Sequence, residues 1–151
     1  MKTIHDLSAL RAQFSGKLLM AADDMGPFLT DWRGKWTGRA IAVAQPDTTQ
    51  DVAAIVRWCV QARVPIVPQG GNTGLSGAGT PDASGNALVL SLARMNRVRE
   101  FDTDNNTMTV EAGCVLQTLH ERARAHHRLF PLSLAAQGSC MIGGNLSTNA
   151  G

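Results

Sequence analysis

Residues 65–79 read Pro-Ile-Val-Pro-Gln-Gly-Gly-Asn-Thr-Gly-Leu-Ser-Gly-Ala-Gly: a short apolar run opens into a loop with glycine at 70, 71, 74, 77 and 79. Glycine loses more backbone freedom on ordering than any other residue, so a loop this dense in it needs a compensating contact. The usual one is close approach of the backbone to a ligand, with successive N–H groups turned inward to form an anion-binding concavity. Asn72, Thr73 and Ser76 set side-chain donors between the glycines, and the loop contains no Lys or Arg. Amide dipoles and hydroxyls are therefore the groups available there to meet a phosphate or pyrophosphate. The bland alternative is a glycine-rich surface loop with no ligand.

Residue type separates the known phosphate-binding designs. A nucleoside-triphosphatase loop ends in Lys followed by Ser or Thr, and no Gly-Lys-Ser/Thr occurs in this chain. A dinucleotide turn of the Rossmann kind opens directly into a helix, whose N-terminus takes the pyrophosphate. Here Gly77-Ala-Gly79 runs into Thr80-Pro-Asp-Ala-Ser-Gly85, which is turn chemistry. Both designs fail, leaving a long cradling loop that leaves a strand. A second segment, Gly138-Ser-Cys-Met-Ile-Gly-Gly-Asn-Leu-Ser-Thr-Asn-Ala-Gly151, repeats the small and neutral polar chemistry with no acid. Two such segments in 151 residues read most simply as converging walls of one elongated site.

The intervening pattern is that of a mixed α+β chain. Residues 40–44 form a short apolar strand, and Thr48-x-x-Asp51 is close to a capping box. Val52, Ile55, Val56, Cys59 and Val60 follow as one helical stripe, before a second strand at 66–67. Strand, helix, strand makes a βαβ unit with parallel strands, and the glycine loop leaves the C-terminal end of its second strand, where ligands bind in such units. Further strands are expected at 87–91, 97–101 and 108–111, the last two joined by the turn Asp102-Thr-Asp-Asn-Asn106. A helix follows over 115–126, with Leu116, Leu119 and Ala123 on one face. His126 and His127 read as capping or solvent residues at its end. Residues 1–30 read as mostly helical. Asp6 caps a first helix that Gly16 ends, residues 18–20 begin another piece, and Gly26-Pro27 breaks the chain. Trp32 and Trp36 sit in the loop that follows, where sealing a core edge is the plainest role.

The two glycine motifs together resemble the flavin domain of the FAD-linked oxidases, the vanillyl-alcohol-oxidase/p-cresol-methylhydroxylase type. Within that family the chain is most similar to the branch of D-2-hydroxyglutarate dehydrogenase, FAD-dependent D-lactate dehydrogenase and the flavin subunit of glycolate oxidase. The resemblance runs from about Asp31 to the C-terminus, so residues 31–151 are expected to be an FAD-binding domain with an N-terminal βαβ subdomain and the start of a mixed, antiparallel second one. It implies cofactor binding by Pro68, Gln69, Gly70, Gly71, Asn72, Thr73, Gly74 and Ser76 at the pyrophosphate. Gly138, Ser139, Gly143, Gly144, Asn145, Thr148, Asn149, Ala150 and Gly151 would lie along the ribityl chain and isoalloxazine. Some branches tether the flavin through a His in or near the first loop. The matching position here is Asn72, and residues 65–79 hold neither His nor Cys. Noncovalent FAD is the implication.

The implied reaction is oxidation of a D-2-hydroxy acid to the 2-oxo acid, with hydride passing to flavin N5. In the family the general base and the cations for the substrate carboxylate come from later domains. No residue here is assigned as catalytic, and the chain is expected to be the N-terminal part of a longer flavoenzyme, inactive alone. Two alternatives stay open: a flavin reductase of the same architecture, such as the one that makes UDP-N-acetylmuramic acid, and a non-enzymatic nucleotide-binding module.

Composition sets outer bounds. With 44% hydrophobic and 17% charged residues the chain is globular, and a net charge of +2 argues for neither nucleic acid nor membrane surface. Arg94, Arg97 and Arg99 come nearest to a basic stripe, and a solvated strand edge accounts for them. No apolar run approaches the ~20 residues of a membrane span, and Met1-Lys-Thr-Ile-His-Asp has no signal-peptide core. The 3 cysteines fit no metal spacing and read as reduced thiols of a cytoplasmic protein. No metal is expected.

Overall fold

Four short strands pair across long stretches of sequence to build the platform that carries the first glycine segment. In the computed structural model, which describes residues 6–150, these are β1 (Lys17–Leu19), β2 (Ala40–Gln45), β3 (Ile66–Gln69) and β4 (Ala87–Ser91). They form one sheet in the order β1-β2-β4-β3. β2, β4 and β3 are parallel, and β1 is antiparallel on the edge beside β2. The expected βαβ unit is present with parallel strands, but they are not neighbours: β4 lies between them. Every residue of β4 is buried. Its unbroken Ala-Leu-Val-Leu run suits a strand covered on both faces.

Helices α1 (Leu7–Arg11), α2 (Ala22–Leu29) and α3 (Thr49–Ala62) supply the cover. On one face Leu10, Phe14, Ile55, Trp58 and Cys59 pack on Ala42, Ala44, Leu88 and Leu90. On the other, Met25, Phe28 and Leu29 meet Val43 and Val89. Leu10, Ile55 and Leu88 are fully buried, and such side chains contribute about 1.5–3 kcal/mol each. That packing, rather than intrinsic propensity, holds a five-residue helix such as α1.

The expected capping box is present. Thr48 Oγ1 accepts the Asp51 N–H at 3.1 Å, and Asp51 Oδ2 accepts the Thr48 N–H at 3.1 Å. Asp51 also takes the N–H and hydroxyl of Ser15, tying α3 to the chain that follows α1. Burial works against its charge, yet the Ser15 and Asp47 amides outweigh it and hold the carboxyl below its ordinary pKa.

Four local expectations change. The buried stripe of α3 is Asp51, Ala54, Ile55, Trp58 and Cys59, whereas Val56 and Val60 are exposed. The helix is turned so that the large indole of Trp58 is covered, which outweighs two valines. Residues 17–19 form β1, because pairing Leu18 with Ala44 and Leu19 with Val43 satisfies the edge of β2. Gly26 and Pro27 lie inside α2, which runs on to Leu29. Trp32 and Trp36 are each 59% exposed and seal no core edge.

The second unit is antiparallel. β5 (Val98–Asp102) and β6 (Thr107–Val110) form the expected hairpin, followed by α4 (Leu116–Ala125) and the short α5 (Ile142–Ser147). Cys114, Leu119 and Ile142 pack with Val98, Met108, Val110 and Phe130 into a separate small core. His126 caps α4 and stacks on Phe101, with ring centroids 3.9 Å apart. The fold is thus mixed helix and sheet: a parallel platform followed by an antiparallel unit. Arg94, Arg97 and Arg99 are not free on a strand edge. Arg94 bonds Asp47 at 2.6 Å, and Arg97 and Arg99 both bond Glu111 at 3.0 Å.

Candidate functional site

The first glycine segment leaves the C-terminal end of β3 and makes no regular structure. Among the described residues, no backbone N–H from 70 to 79 meets a protein acceptor. Such groups are obligatory donors, so a continuous run of them unpaired marks a surface whose partner is water or ligand. The segment is nonetheless held in place from beneath. Gln69 is buried, and its Nε2 donates to the carbonyls of Phe28 at 2.9 Å and Gly79 at 2.7 Å, closing the loop at its base. Asn72 adopts φ +53°, which Asn tolerates better than other side chains, and its Nδ2 donates to the Thr30 carbonyl at 2.7 Å.

The second segment converges on the first. A Cβ built on Gly71 would stand 2.0 Å from the Ser139 carbonyl oxygen, and one on Gly70 would lie 3.4 Å from Met141 Cβ. Only glycine permits the backbone contact at 71. Gly143 is likewise packed against Ala112, where a Cβ would meet Ala112 Cβ at 2.7 Å. Gly74 and Gly144 differ: a Cβ on either finds nothing within 4 Å. Glycines at 71 and 143 thus let the chain segments touch, while those at 74 and 144 leave a side-chain-free surface open. Gly144 adds its own N–H, which has no acceptor among the described residues.

The expected site residues therefore divide by what their side chains do. Gln69, Asn72, Ser139, Asn145 and Thr148 spend polar atoms on the protein. Ser139 Oγ bonds the Ala136 carbonyl, Asn145 Nδ2 bonds Cys140 Sγ at 3.5 Å, and Thr148 Oγ1 bonds the Gly144 carbonyl at 2.9 Å. Thr73 and Ser76 keep hydroxyls without protein partners among the described residues. Pro68, Gly138 and Asn149 are exposed, Asn149 with φ +49°, and Ala150 is half-buried. Gly151 lies outside the described residues.

Two residues at the first loop were not foreseen. Asp31 is buried and accepts N–H bonds from Arg33, Lys35 and Trp36, folding 31–37 into a tight turn beside the loop. Burial opposes its charge, but the Trp36 and Arg33 amides win and lower its pKa. From this turn Arg33 Nη2 donates to the Leu75 carbonyl at 2.5 Å. The Trp36 indole stands over Gly77, where a Cβ would lie 3.4 Å from Trp36 Cδ1. A loop without basic residues thus gains a cation from 42 positions upstream. No signal along the chain marks that pairing.

Two surface hollows lie elsewhere. One of about 430 Å³ is lined by Arg97, Arg99, Thr118, Arg122 and His126, and one of about 330 Å³ by His120, Arg124, Arg128 and Phe130. Along the two glycine segments the surface at Gly74 and Gly144 is open, with nothing within 4 Å of a Cβ built on either, which leaves room for a ligand. Among the described residues no cluster of His, Cys, Asp or Glu is arranged to hold a metal. His120 is occupied with the Leu132 carbonyl at 2.8 Å. Cys59, Cys114 and Cys140 are buried and unbonded to one another, and burial pushes the Cys59 thiol up to about 11. No helix of the described residues is long and apolar enough to cross a membrane.

Comparison with known proteins finds a family and a fold for the chain. A family model described as an FAD binding domain matches residues 40–151. D-2-hydroxyglutarate dehydrogenase of Xanthomonas citri pv. viticola is 43% identical over 128 residues, covering 85% of this chain and 27% of that protein. The mitochondrial D-2-hydroxyglutarate dehydrogenase of Bos taurus is 38% identical over 146 residues, covering 97% of this chain and 26% of that one. The chain therefore spans about a quarter of the length of these relatives. Among solved structures, an alkyldihydroxyacetonephosphate synthase superposes with a TM-score of 0.83 at 18% identity, over 93% of this chain and 28% of that one. At that identity the likeness is one of fold.

Proposed function

This chain belongs to the FAD-binding domain family, and from that premise we propose that it is the FAD-binding part of an oxidoreductase that converts a D-2-hydroxy acid to the 2-oxo acid. The observation that carries the cofactor reading is the unpaired N–H run at 70–79, against which the second glycine segment packs at Gly71 while the surface at Gly74 and Gly144 stays open. Its donors fit a pyrophosphate: many amides, the hydroxyls of Thr73 and Ser76, no carboxylate, and the Arg33 guanidinium at the rim. Hydrogen bonds to a charged group contribute about 1.5–3 kcal/mol each. Four of them sum to roughly 8 kcal/mol, the size of a micromolar Kd before the entropy of association is subtracted.

In our reading the backbone at 70–74, with Ser76, holds the pyrophosphate. Gly138, Ser139, Gly143, Gly144, Asn145, Thr148, Asn149, Ala150 and Gly151 line the remainder. Gln69 and Asn72 act by shaping the loop. Bound flavin supplies a two-electron acceptor for the hydroxy-acid hydrogen. The resemblance matches Asn72 to the region where some branches tether the flavin through His, and residues 65–79 hold neither His nor Cys, so our reading is a noncovalent cofactor. The substrate class follows the relatives at 43% and 38% identity, both named for D-2-hydroxyglutarate. No residue of this chain is assigned to the chemical step. The three buried thiols suit a reducing compartment, for which the cytoplasm is our reading.

Two measurements test this. Incubated with FAD and desalted, the protein should show flavin absorption, and trichloroacetic acid should release all the colour to the supernatant. Colour in the pellet would overturn the noncovalent reading, and retention of ADP but not FAD would favour a nucleotide module. Grafted in place of the matching part of the Xanthomonas relative, the chain should support dye reduction with D-2-hydroxyglutarate and none with the L form. Loss of activity in a chimera that still holds FAD would overturn the reading that this domain presents its flavin to a D-2-hydroxy-acid site.

A further inference from the structure

Glu111 ends the β6 arm with its side chain wholly removed from solvent. Its carboxylate accepts the Arg97 N–H at 2.9 Å, the Arg97 guanidinium at 3.0 Å and the Arg99 guanidinium at 3.0 Å. Arg97 also reaches the Asp47 carbonyl, and Asp47 holds Arg94. The charge thus sits where the hairpin, the segment leaving β4 and the start of α3 meet.

The backbone around it forms a chain of contacts from one glycine segment to the other. At the first, the Gln69 carbonyl accepts the Leu92 N–H at 3.0 Å. Residues 92–97 are then joined to 111–113: Glu111 N–H bonds the Arg97 carbonyl at 3.0 Å, and Gly113 N–H bonds the Met95 carbonyl at 2.8 Å. From there the Ala112 carbonyl takes the Gly143 N–H at 2.8 Å, and the Cys114 carbonyl takes the Ile142 N–H at 2.9 Å. The first two amides of α5 therefore hang from the residues directly after Glu111. The second segment then closes on the first at Gly71 and Ser139.

We propose that Glu111 is a positioning residue for the cofactor groove: by drawing Arg97 and Arg99 onto one carboxylate it fixes residues 112–114, and so seats the second glycine segment against the first. The inference rests on the FAD reading for its consequence, but not for its geometry. A purely structural carboxylate would stabilise the hairpin without setting groove width. Arg97 and Arg99 are 65% and 50% exposed, so removing their partner leaves them hydrated and does not strand a buried charge.

The test compares Glu111→Ala and Glu111→Gln with Ile55→Ala, a truncation in the core of the parallel platform that removes no part of the Glu111 network. Backbone amide exchange is followed without cofactor, and FAD affinity by flavin fluorescence. In Glu111→Ala, exchange at Ile142 and Gly143 should rise about tenfold relative to Val89, and FAD should bind about tenfold more weakly, the scale of coupling within one polar network. Glu111→Gln keeps an acceptor for one arginine and should fall between. Ile55→Ala should lower global stability while leaving both ratios unchanged. Equal relative exchange at Ile142 and Gly143 in all proteins would overturn the proposal, as would undiminished FAD affinity in Glu111→Ala. If the unmodified chain binds no FAD, the cofactor reading fails and the exchange ratio alone decides the positioning role. Should the alanine variant not fold, the glutamine variant carries the same comparison.

Discussion

Replacing Gly71 and Gly74 separately by alanine tests the groove, because the same added methyl meets opposite surroundings. At 71 the new Cβ would stand 2.0 Å from the Ser139 carbonyl oxygen and 3.1 Å from Cys140 Cα, both backbone atoms that no rotamer change can move. Ordinary contact needs more than 3 Å, so the two segments must part by about 1 Å or more; overpacking of this kind costs about 1–3 kcal/mol. For a chain of 151 residues that corresponds to a Tm lower by roughly 2–12 °C. At 74 nothing lies within 4 Å, and the backbone is outside the left-handed region, so alanine is accommodated. Its restriction of the unfolded chain should stabilise by about 0.4–1 kcal/mol. Thermal unfolding by circular dichroism measures the first effect, and flavin fluorescence the second. Gly71→Ala should lose both stability and FAD affinity, whereas Gly74→Ala should keep stability and lose affinity alone. A Gly71→Ala protein melting within 1 °C of the unmodified chain would refute the contact between the segments. A Gly74→Ala protein with full FAD affinity would refute the open side of the loop as the cofactor face.

Two further outcomes follow from buried carboxylates and caps. The arginine hydrogen bond from Arg97 is the main cause that lowers the Glu111 carboxyl from 4.5 to about 2. A depressed folded pKa means that its stabilisation is complete above 4.5 and is lost as pH falls from there towards 2. Urea titrations between those limits should show a stability slope in the unmodified chain that Glu111→Gln flattens; equal slopes would remove the ion pair from the account. At the start of α3, Thr48→Ala deletes the acceptor of the Asp51 N–H and should cost about 1 kcal/mol, with Thr48→Ser restoring most of it. An unchanged melting point for Thr48→Ala would show the cap to be replaced by water.

How much of this was legible along the chain depends on the range of each interaction. The Thr48–Asp51 box, the Asp102 turn, the α4 face and the parallel sense of β2 and β3 all rest on contacts within a few residues or on hydrophobic period. They could be read directly. The buried stripe of α3 lies one residue earlier than the periodicity suggests, about 100° around the helix, since two apolar faces overlap in Val-Ala-Ala-Ile-Val-Arg-Trp-Cys-Val and only packing shows which one covers Trp58. Residues 17–19 have no strong strand signal of their own, and become a strand because β2 presents an unpaired edge.

By itself, the amino-acid order determined the chemistry of the site. Two glycine-rich, acid-free segments leave little but backbone amides and hydroxyls to meet a ligand, and that follows from composition and spacing. Only the tertiary structure decided which glycines bring the segments together and which leave the groove open. It also showed that Gln69 and Asn72 brace the loop, that Arg33 reaches it across 42 positions, and that Glu111 gathers Arg97 and Arg99 next to the residues whose carbonyls hold the second segment. The physical reason is common to all of these. A free N–H, a forbidden Cβ or a shared carboxylate is defined by what stands opposite it, and the opposing atoms come from distant parts of the chain.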